Sequence, residues 1–317
     1  MIWNILYMLL GLGLLVKGAD WLVDGASSLA RKYRISELAI GLTIVAFGTS
    51  APELVVNIIS SSQQHYDIVL GNIIGSNNFN LFMILGVAGL ISPLVVKSGT
   101  VWKEIPLSLM AALLLLFMAN DTLHRQLPVI SRLDGMIFLM LFALFLWYVY
   151  RQMKTDLPDH ATVEKQRPVW LIAIFIASGL AGLVIGGKLV VDNAVKFATE
   201  LGVSEKVIGL TIIAAGTSLP ELFTSVVAVM KKNNDIAIGN VIGSNIFNIF
   251  LILGISSLVK PIPYNTHFNT DLWILTGGTI FLFIAMFTGQ RKKLDRWEAA
   301  VLLVTFIAYT TFLVMQE

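Results

Sequence analysis

No cysteine occurs in the 317 residues, which excludes disulfides and thiolate metal sites. Charge is scarce: Asp, Glu, Lys and Arg make up 13% of the chain, against about 25% in an ordinary soluble domain. Histidine is scarce too, and His65, His124, His160 and His267 all fall in connections between apolar blocks. The net charge is only +2, and no basic face is interleaved with aromatics, so nucleic acid is not a partner. What abounds is apolar: 56% of residues are hydrophobic and the mean hydropathy is +0.79. These residues fall in blocks long enough to cross a bilayer, about 20 residues per helix. The chain is therefore expected to be a polytopic all-α membrane protein. Its first block begins at Ile2 and no cleavage-site pattern follows a basic start, so it is expected as a retained helix, not a signal peptide.

Ten spans are expected, at about 3–29, 38–60, 68–92, 104–120, 133–151, 169–198, 206–230, 236–259, 271–289 and 296–315. The only long polar stretch, 152–168, separates a first half (1–151) from a second (169–317). Five spans per half is an odd number, so the second half enters from the opposite side and the halves form inverted repeats. Connections after the odd-numbered spans carry 15 Lys and Arg, those after the even-numbered spans 5. By the positive-inside rule the first set faces the cytoplasm, the linker with it, and both termini lie outside. The expected location is the plasma (inner) membrane of a prokaryote, with the lipid bilayer as solvent and the oligomeric state open.

Inside the halves lies a duplication. Residues 41–86 and 209–254 align at an offset of 168 without a gap, and 25 of the 46 positions are identical. Each copy reads Gly-Thr-Ser-x-Pro-Glu, which puts Glu53 and Glu221 inside apolar segments. An ionisable group in a span costs roughly 2.5–3.5 kcal/mol on insertion scales and marks a functional site by default. Pro52 and Pro220 lack the amide donor, so the second and seventh helices should be discontinuous there. The freed carbonyls would lie around Ala46 to Thr49 and Ala214 to Thr217. Unpaired backbone at that depth survives only against protein or a cavity.

The chemistry of this pattern is all oxygen. Carbonyls, the hydroxyls of Thr49, Ser50, Thr217 and Ser218, and two carboxylates suit hard cations such as Ca²⁺ and Na⁺. Thr49 and Glu53 are four apart and share a helix face, as do Thr217 and Glu221. The partner segments run Gly71-Asn72 to Asn80 and Gly239 to Asn248. In them Ser76 and Asn80 share a face, as do Ser244 and Asn248. Asn72, Asn77, Asn240 and Asn245 fit cross-bracing at least as well as ligation, whereas Asn80 and Asn248 lean towards the ion. Glycines at helix contacts are routine packing residues and carry no functional argument alone. Outside the motifs, Ser36 and Ser204 look like N-caps. Asp24 and Asp192 look like helix-end residues, and Lys17 is expected to snorkel or pair with Asp20.

The doubled motif resembles the paired repeats of the cation/Ca²⁺ exchanger superfamily, in particular its prokaryotic sodium/calcium exchanger branch. The resemblance implies ten helices with ion sites where the second, third, seventh and eighth meet. It implies Glu53 and Glu221 as ligands shared by Ca²⁺ and Na⁺, with carbonyls of Thr49 and Thr217 completing the calcium position. Hydroxyls of Ser50, Ser76, Ser218 and Ser244 and carbonyls of Ala46 and Ala214 would serve flanking sodium positions. The first and sixth helices would slide across this core. Some archaeal and potassium-dependent relatives carry Asp where this chain has Asn248, a departure that bears on potassium coupling and the sodium arrangement.

The functional expectation is a secondary antiporter exchanging Ca²⁺ for Na⁺ by alternating access, with no cofactor. With Asn80 and Asn248 neutral, the two glutamates are offset by one Ca²⁺, two Na⁺ or two protons. Ca²⁺/H⁺ exchange on the same glutamates is the alternative. A channel would show flux without counter-transport, and a two-carboxylate membrane hydrolase would turn over a peptide or lipid.

Overall fold

A computed structural model describes residues 2–120, 128–153, 167–201, 214–289 and 292–315. Eleven helical segments carry these residues: α1 (Ile2–Tyr33), α2 (Glu37–Thr49), α3 (Ala51–Ser62), α4 (Tyr66–Ile91), α5 (Thr100–Ala119), α6 (Arg132–Gln152), α7 (Val169–Glu200), α8 (Leu219–Met230), α9 (Asn234–Val259), α10 (Phe268–Ala285) and α11 (Arg296–Met315). Among the described residues, eight of these are individually long and apolar enough to span a membrane. The pair α2–α3 passes the same test together and is bent by 48° at its break. α8 is shorter, preceded by the single turn Ala214–Gly216. Residues 202–213, the start of the second motif with Ser204, lie outside the described residues, as does most of the linker.

Helix ends agree with the expected ones to within a turn or so. α1 runs on to Tyr33, one turn further, because Arg31 and Lys32 continue the helix where its partial negative charge accumulates. α10 stops at Ala285, earlier than 289, because Lys292 N–H closes on Met286 O at 2.8 Å and Gly289 takes φ +50°. Ser36 caps α2, accepting from Ala39 N–H at 3.2 Å. Ser131 and Asp134 form a capping box at the start of α6.

α4 and α9 form the centre. In α9 every residue from Ile236 to Phe250 is buried, which suits a helix surrounded by others, whereas α1 presents Ile2, Trp3, Leu6, Leu9 and Leu10 outward. Outward leucines are unexceptional where the solvent is hydrocarbon. α9 presses on α2 through Gly239 and Gly243: a Cβ at Gly239 would lie 2.8 Å from Leu38 O. Two short antiparallel pairings tie the connections. β1 (Leu94–Val95) pairs with β4 (Lys293–Leu294), and β2 (Val129–Ile130) with β3 (Ile262–Pro263).

α1 and α7 lie antiparallel along their lengths, with glycine on both sides of the seam. A Cβ at Gly18 would meet Gly179 O at 2.8 Å, and one at Gly11 would meet Gly186 O at 2.8 Å. A Cβ at Gly179 would lie 2.6 Å from Leu22 N, a backbone atom that cannot rotate away. Gly179→Val is therefore expected to lower stability by about 1–3 kcal/mol, measured as thermal unfolding in detergent. Gly13→Val, where an added Cβ meets nothing within 4 Å, should leave it unchanged.

Candidate ion-binding site

The helix breaks come first. Pro52 and Pro220 each occupy the opening turn of the helix that follows, α3 or α8, where the missing N–H costs nothing. The residues just before, Ser50 (φ −85°, ψ 5°) and Ser218 (φ −92°, ψ 7°), adopt nearly the same bridge-region conformation. Across the first break the ladder is carried by Ser50 N–H to Ala46 O (3.0 Å) and Leu54 N–H to Ser50 O (3.1 Å). Pro52 leaves the Gly48 carbonyl without its helical donor. Glu53 and Glu221 then sit in the first turns of α3 and α8, where the helix end favours negative charge.

The two breaks face each other. Ser50 Oγ lies 2.9 Å from Glu221 Oε1 and 3.0 Å from Ser244 Oγ. Ser218 Oγ lies 3.4 Å from Glu53 Oε1 and 3.1 Å from Ser76 Oγ. Each serine therefore contacts the carboxylate of the other motif. Both glutamates are 1% exposed. Thr49 Oγ1 is engaged with Val45 O (3.1 Å) and Asn240 Oδ1 (3.0 Å), and Thr217 Oγ1 with Asn72 Oδ1 (3.2 Å). With their hydrogens so engaged, these threonines still carry hydroxyl lone pairs and backbone carbonyl oxygens. Ala46 O takes Ser50 N–H and sits 3.3 Å from Thr49 Oγ1. Ala214 opens the turn before Ser218, and its side chain lies outside the described residues.

Four asparagines brace α4 against α9. Asn80 Nδ2 donates to Asn245 Oδ1 (3.0 Å) and Asn248 Nδ2 to Asn77 Oδ1 (3.0 Å). Asn77 Nδ2 donates to Asn245 O (3.4 Å) and Asn245 Nδ2 to Asn77 O (3.5 Å). Asn80 and Asn248 lie in matching π-helical turns, Phe79–Ile84 and Phe247–Leu253, a distortion common at functional sites. Their amide nitrogens brace while their carbonyl oxygens, Asn80 Oδ1 and Asn248 Oδ1, have no partner among the described residues. Glu53 Oε2 and Glu221 Oε2 are likewise unpartnered and buried. Two acidic and two amide oxygens, one of each from each motif, are thus left without hydrogen. Such atoms are costly to bury unless something completes them. All four are oxygens, the donor type that hard cations prefer.

Comparison with known proteins bears on this geometry. The sodium/calcium exchanger protein family matches residues 3–151 and 170–315. The chain belongs to the sodium/calcium exchanger family. Among this family member's relatives, the sodium/calcium exchanger MaX1 of Methanosarcina acetivorans is 34% identical over 98% of each chain. The inner membrane protein YrbG of Escherichia coli is 39% identical over 80% of this chain and 79% of its own. The solved structure of the sodium-calcium exchanger NCX_Mj superposes with a TM-score of 0.85 at 32% identity, covering 98% of both chains. The recognised family, antiport as its hallmark, and a multi-pass membrane fold accord with the expectations from sequence.

Other features of this family member were not evident from sequence. Asn57, one turn beyond Glu53 and wholly buried, donates to Glu53 O at 2.7 Å. Its repeat counterpart is Ser225, so it escapes the identical positions, and its only signal is the spacing of four from Glu53. Lys17 pairs with Asp20 at 2.7 Å. Lys231 at the end of α8 reaches both Asp20 (2.5 Å) and Asp24 (2.6 Å) on α1, so Asp24 joins helices as well as lying near a helix end. His65 and His267 are exposed, and His124 and His160 lie outside the described residues. The brace predicts a stability effect: Asn77→Leu removes the acceptor of Asn248 Nδ2. Thermal unfolding in detergent should show a loss of about 1–3 kcal/mol from the stranded donor.

Proposed function

We propose that this protein exchanges Ca²⁺ for Na⁺ across the membrane by alternating access, with Glu53 and Glu221 shared between the competing ions. The observation that carries this reading is the set of four unpartnered buried oxygens, Glu53 Oε2, Glu221 Oε2, Asn80 Oδ1 and Asn248 Oδ1. In this reading the carbonyls of Thr49 and Thr217 complete the calcium position. The hydroxyls of Ser50, Ser76, Ser218 and Ser244 and the carbonyls of Ala46 and Ala214 serve sodium. The printed name of the relative MaX1 agrees with the ion pair. Two carboxylates are neutralised by one Ca²⁺ or two Na⁺, so the loads exclude each other. An empty site resists reorientation, because two bare carboxylates would have to cross a dehydrated state. That favours exchange over uniport.

Parity supports ten crossings. α1 and α7 are antiparallel: Asn4 Nδ2 bonds Glu200 Oε1 at 2.9 Å, and Lys32 Nζ bonds Arg167 O at 3.1 Å. An even number of crossings must separate them, which α4, α5 and α6 supply only if α2–α3 counts as a fourth. The pairing of β1 with β4 puts the end of α4 and the start of α11 on one face. Between them α5, α6, α7, α9 and α10 are five, so the segment containing α8 must be a sixth crossing. On this count residues 1–151 and 169–317 are inverted five-helix repeats, with discontinuous second and seventh helices, joined by the linker 152–168. The basic residues then place that linker in the cytoplasm and both termini outside. α1 and α7 contact each other far more than the centre, which suits a pair that moves as a unit over it.

The test is uptake of radioactive Ca²⁺ by proteoliposomes loaded with sodium or with a proton gradient. Sodium-driven uptake is expected, and Glu53→Gln should reduce it at least about a hundredfold, comparable to losing a buried charged ligand at roughly 3 kcal/mol or more. Uptake on a pH gradient without sodium would put the proton in its place; the many hydroxyls flanking the carboxylates favour sodium. If three Na⁺ move per Ca²⁺, one net charge crosses and the equilibrium shifts by about 2.3 kcal/mol per 100 mV. An imposed potassium-diffusion potential would then change the uptake, whereas two-for-one exchange would be indifferent to it.

A further inference from the structure

The buried face of α3 beyond Glu53 is polar throughout: Asn57, Ser60 and Ser61. Its other face turns Val55 and Ile59 outward. α3 packs on the last turns of α9, where Ser61 Oγ donates to Ser256 O at 2.7 Å. Ser256 is wholly buried, and so is Asn57. Among the described residues neither Ser256 Oγ nor Asn57 Oδ1 has a partner. Ser257, by contrast, is turned back on Gly254 O at 3.0 Å, beside Gly135 of α6.

The matching face of α8 begins the same way and ends differently. Thr224 and Ser225 follow Glu221, and then the buried residues are Ala228 and Val229. α8 packs on the last turns of α4, where the counterpart of Ser256 is Ala88, also buried. Two turns from the carboxylates, one direction therefore carries three serines where the other carries Ala, Val and Ala. The connections differ in the same sense. Asp235 at the start of α9 is held by Lys97 at 2.6 Å. The counterparts of that pair, Asp67 and Asn265, line an open pocket with Gln64, His65 and Tyr264 at the end of α3. Among the described residues Asp67 has no ion-pair partner.

Buried hydroxyl and amide oxygens without partners are expensive, and alanine and valine fill the equivalent places without that cost. We propose that Asn57, Ser60, Ser61 and Ser256 form a transit station for a partly hydrated monovalent cation. The station lies between the Glu53–Glu221 pair and the His65 end, and Ala88, Ala228 and Val229 form an apolar seal at the Lys231 end. The donors are hard oxygens, as a sodium-sized ion requires. With no carboxylate among them, they replace part of a monovalent ion's hydration but leave the larger dehydration cost of a divalent ion uncompensated. Asp67 at the mouth adds an attraction for cations approaching from that end. The station rests on the exchange reading above for its direction of use, whereas its wetness and its cation preference do not.

The chain has no cysteine of its own, so single cysteines report on their own position. The variants S61C and V229C, with S62C on the exposed face as a reference, are reconstituted and treated with a membrane-impermeant cationic methanethiosulfonate from each side. S61C should be modified, and saturating sodium in place of choline should slow its modification about tenfold. V229C should remain unmodified over the same interval. Modification of S61C no faster than V229C, or modification indifferent to sodium, overturns the proposal. Ser256→Ala provides a second reading: sodium-driven Ca²⁺ uptake should slow about tenfold, while equilibrium Ca²⁺ binding in detergent stays within about twofold. Unchanged uptake would also overturn it. If instead Glu53→Gln left exchange intact, the function proposed above would fall, and the pattern of cysteine modification would still judge the station.

Discussion

Two carboxylates held away from water within a lipid-spanning protein are the constraint on which this structure turns. Glu53 and Glu221 are both 1% exposed, and among the described residues no basic side chain hydrogen-bonds either of them. One oxygen of each is met by a serine hydroxyl from the opposite motif, and the other is met by nothing. A buried charge left in this condition costs several kcal/mol. Asp134 is met by Ser131, and Glu298 by Thr288 and the Asp295 N–H, whereas Glu104 takes Tyr148 Oη on one oxygen and keeps Oε2 without a partner among the described residues. At the helix breaks, free oxygens of two carboxylates are joined by free amide oxygens from both motifs.

Much of the remaining architecture makes that arrangement possible. Proline stands in the opening turns of α3 and α8, and each helix carries its acid in that same turn. Glycines let α9 lie against α2 so that Asn240 reaches Thr49. The asparagine brace holds α4 and α9 at a fixed spacing while sparing one oxygen of Asn80 and one of Asn248. α1 and α7 share a mutual glycine seam, and α1 is tied to the centre at one end by the Lys231 ion pairs and by Asn233 Nδ2, which donates to Ser27 Oγ at 2.7 Å. Ion pairs of partly exposed groups are weak compared with packing.

What was legible in the sequence was what local chemistry dictates. Proline breaks a helix wherever it stands, so the discontinuity at Ser50 and the position of Glu53 beside it could be read directly. The spans could be read because a bilayer sets their length. The likeness of the two motifs implied that both breaks would share one shape, and Ser50 and Ser218 do share nearly the same dihedral angles. Contacts between distant parts were not legible. Nothing near Asn77 announces Asn248, and nothing near Asp20 announces Lys231, more than 200 residues away. The two-residue strands carry no pattern long enough to notice. Comparison of the motifs draws the eye to identical positions, whereas Asn57 against Ser225 and Ser61 against Val229 are informative because they differ.

The crossed serine contacts bear on ancestry. Ser50 of the first motif meets Glu221 of the second, and Ser218 of the second meets Glu53 of the first. A chain consisting of one half alone would carry an acid, a helix break and an asparagine, yet its cradle would be incomplete. Two identical copies related by a twofold axis would complete each other, since every contact across the axis would be returned in kind. Because both motifs lie in one chain, their two ends are free to differ, as Ser61 and Val229 do.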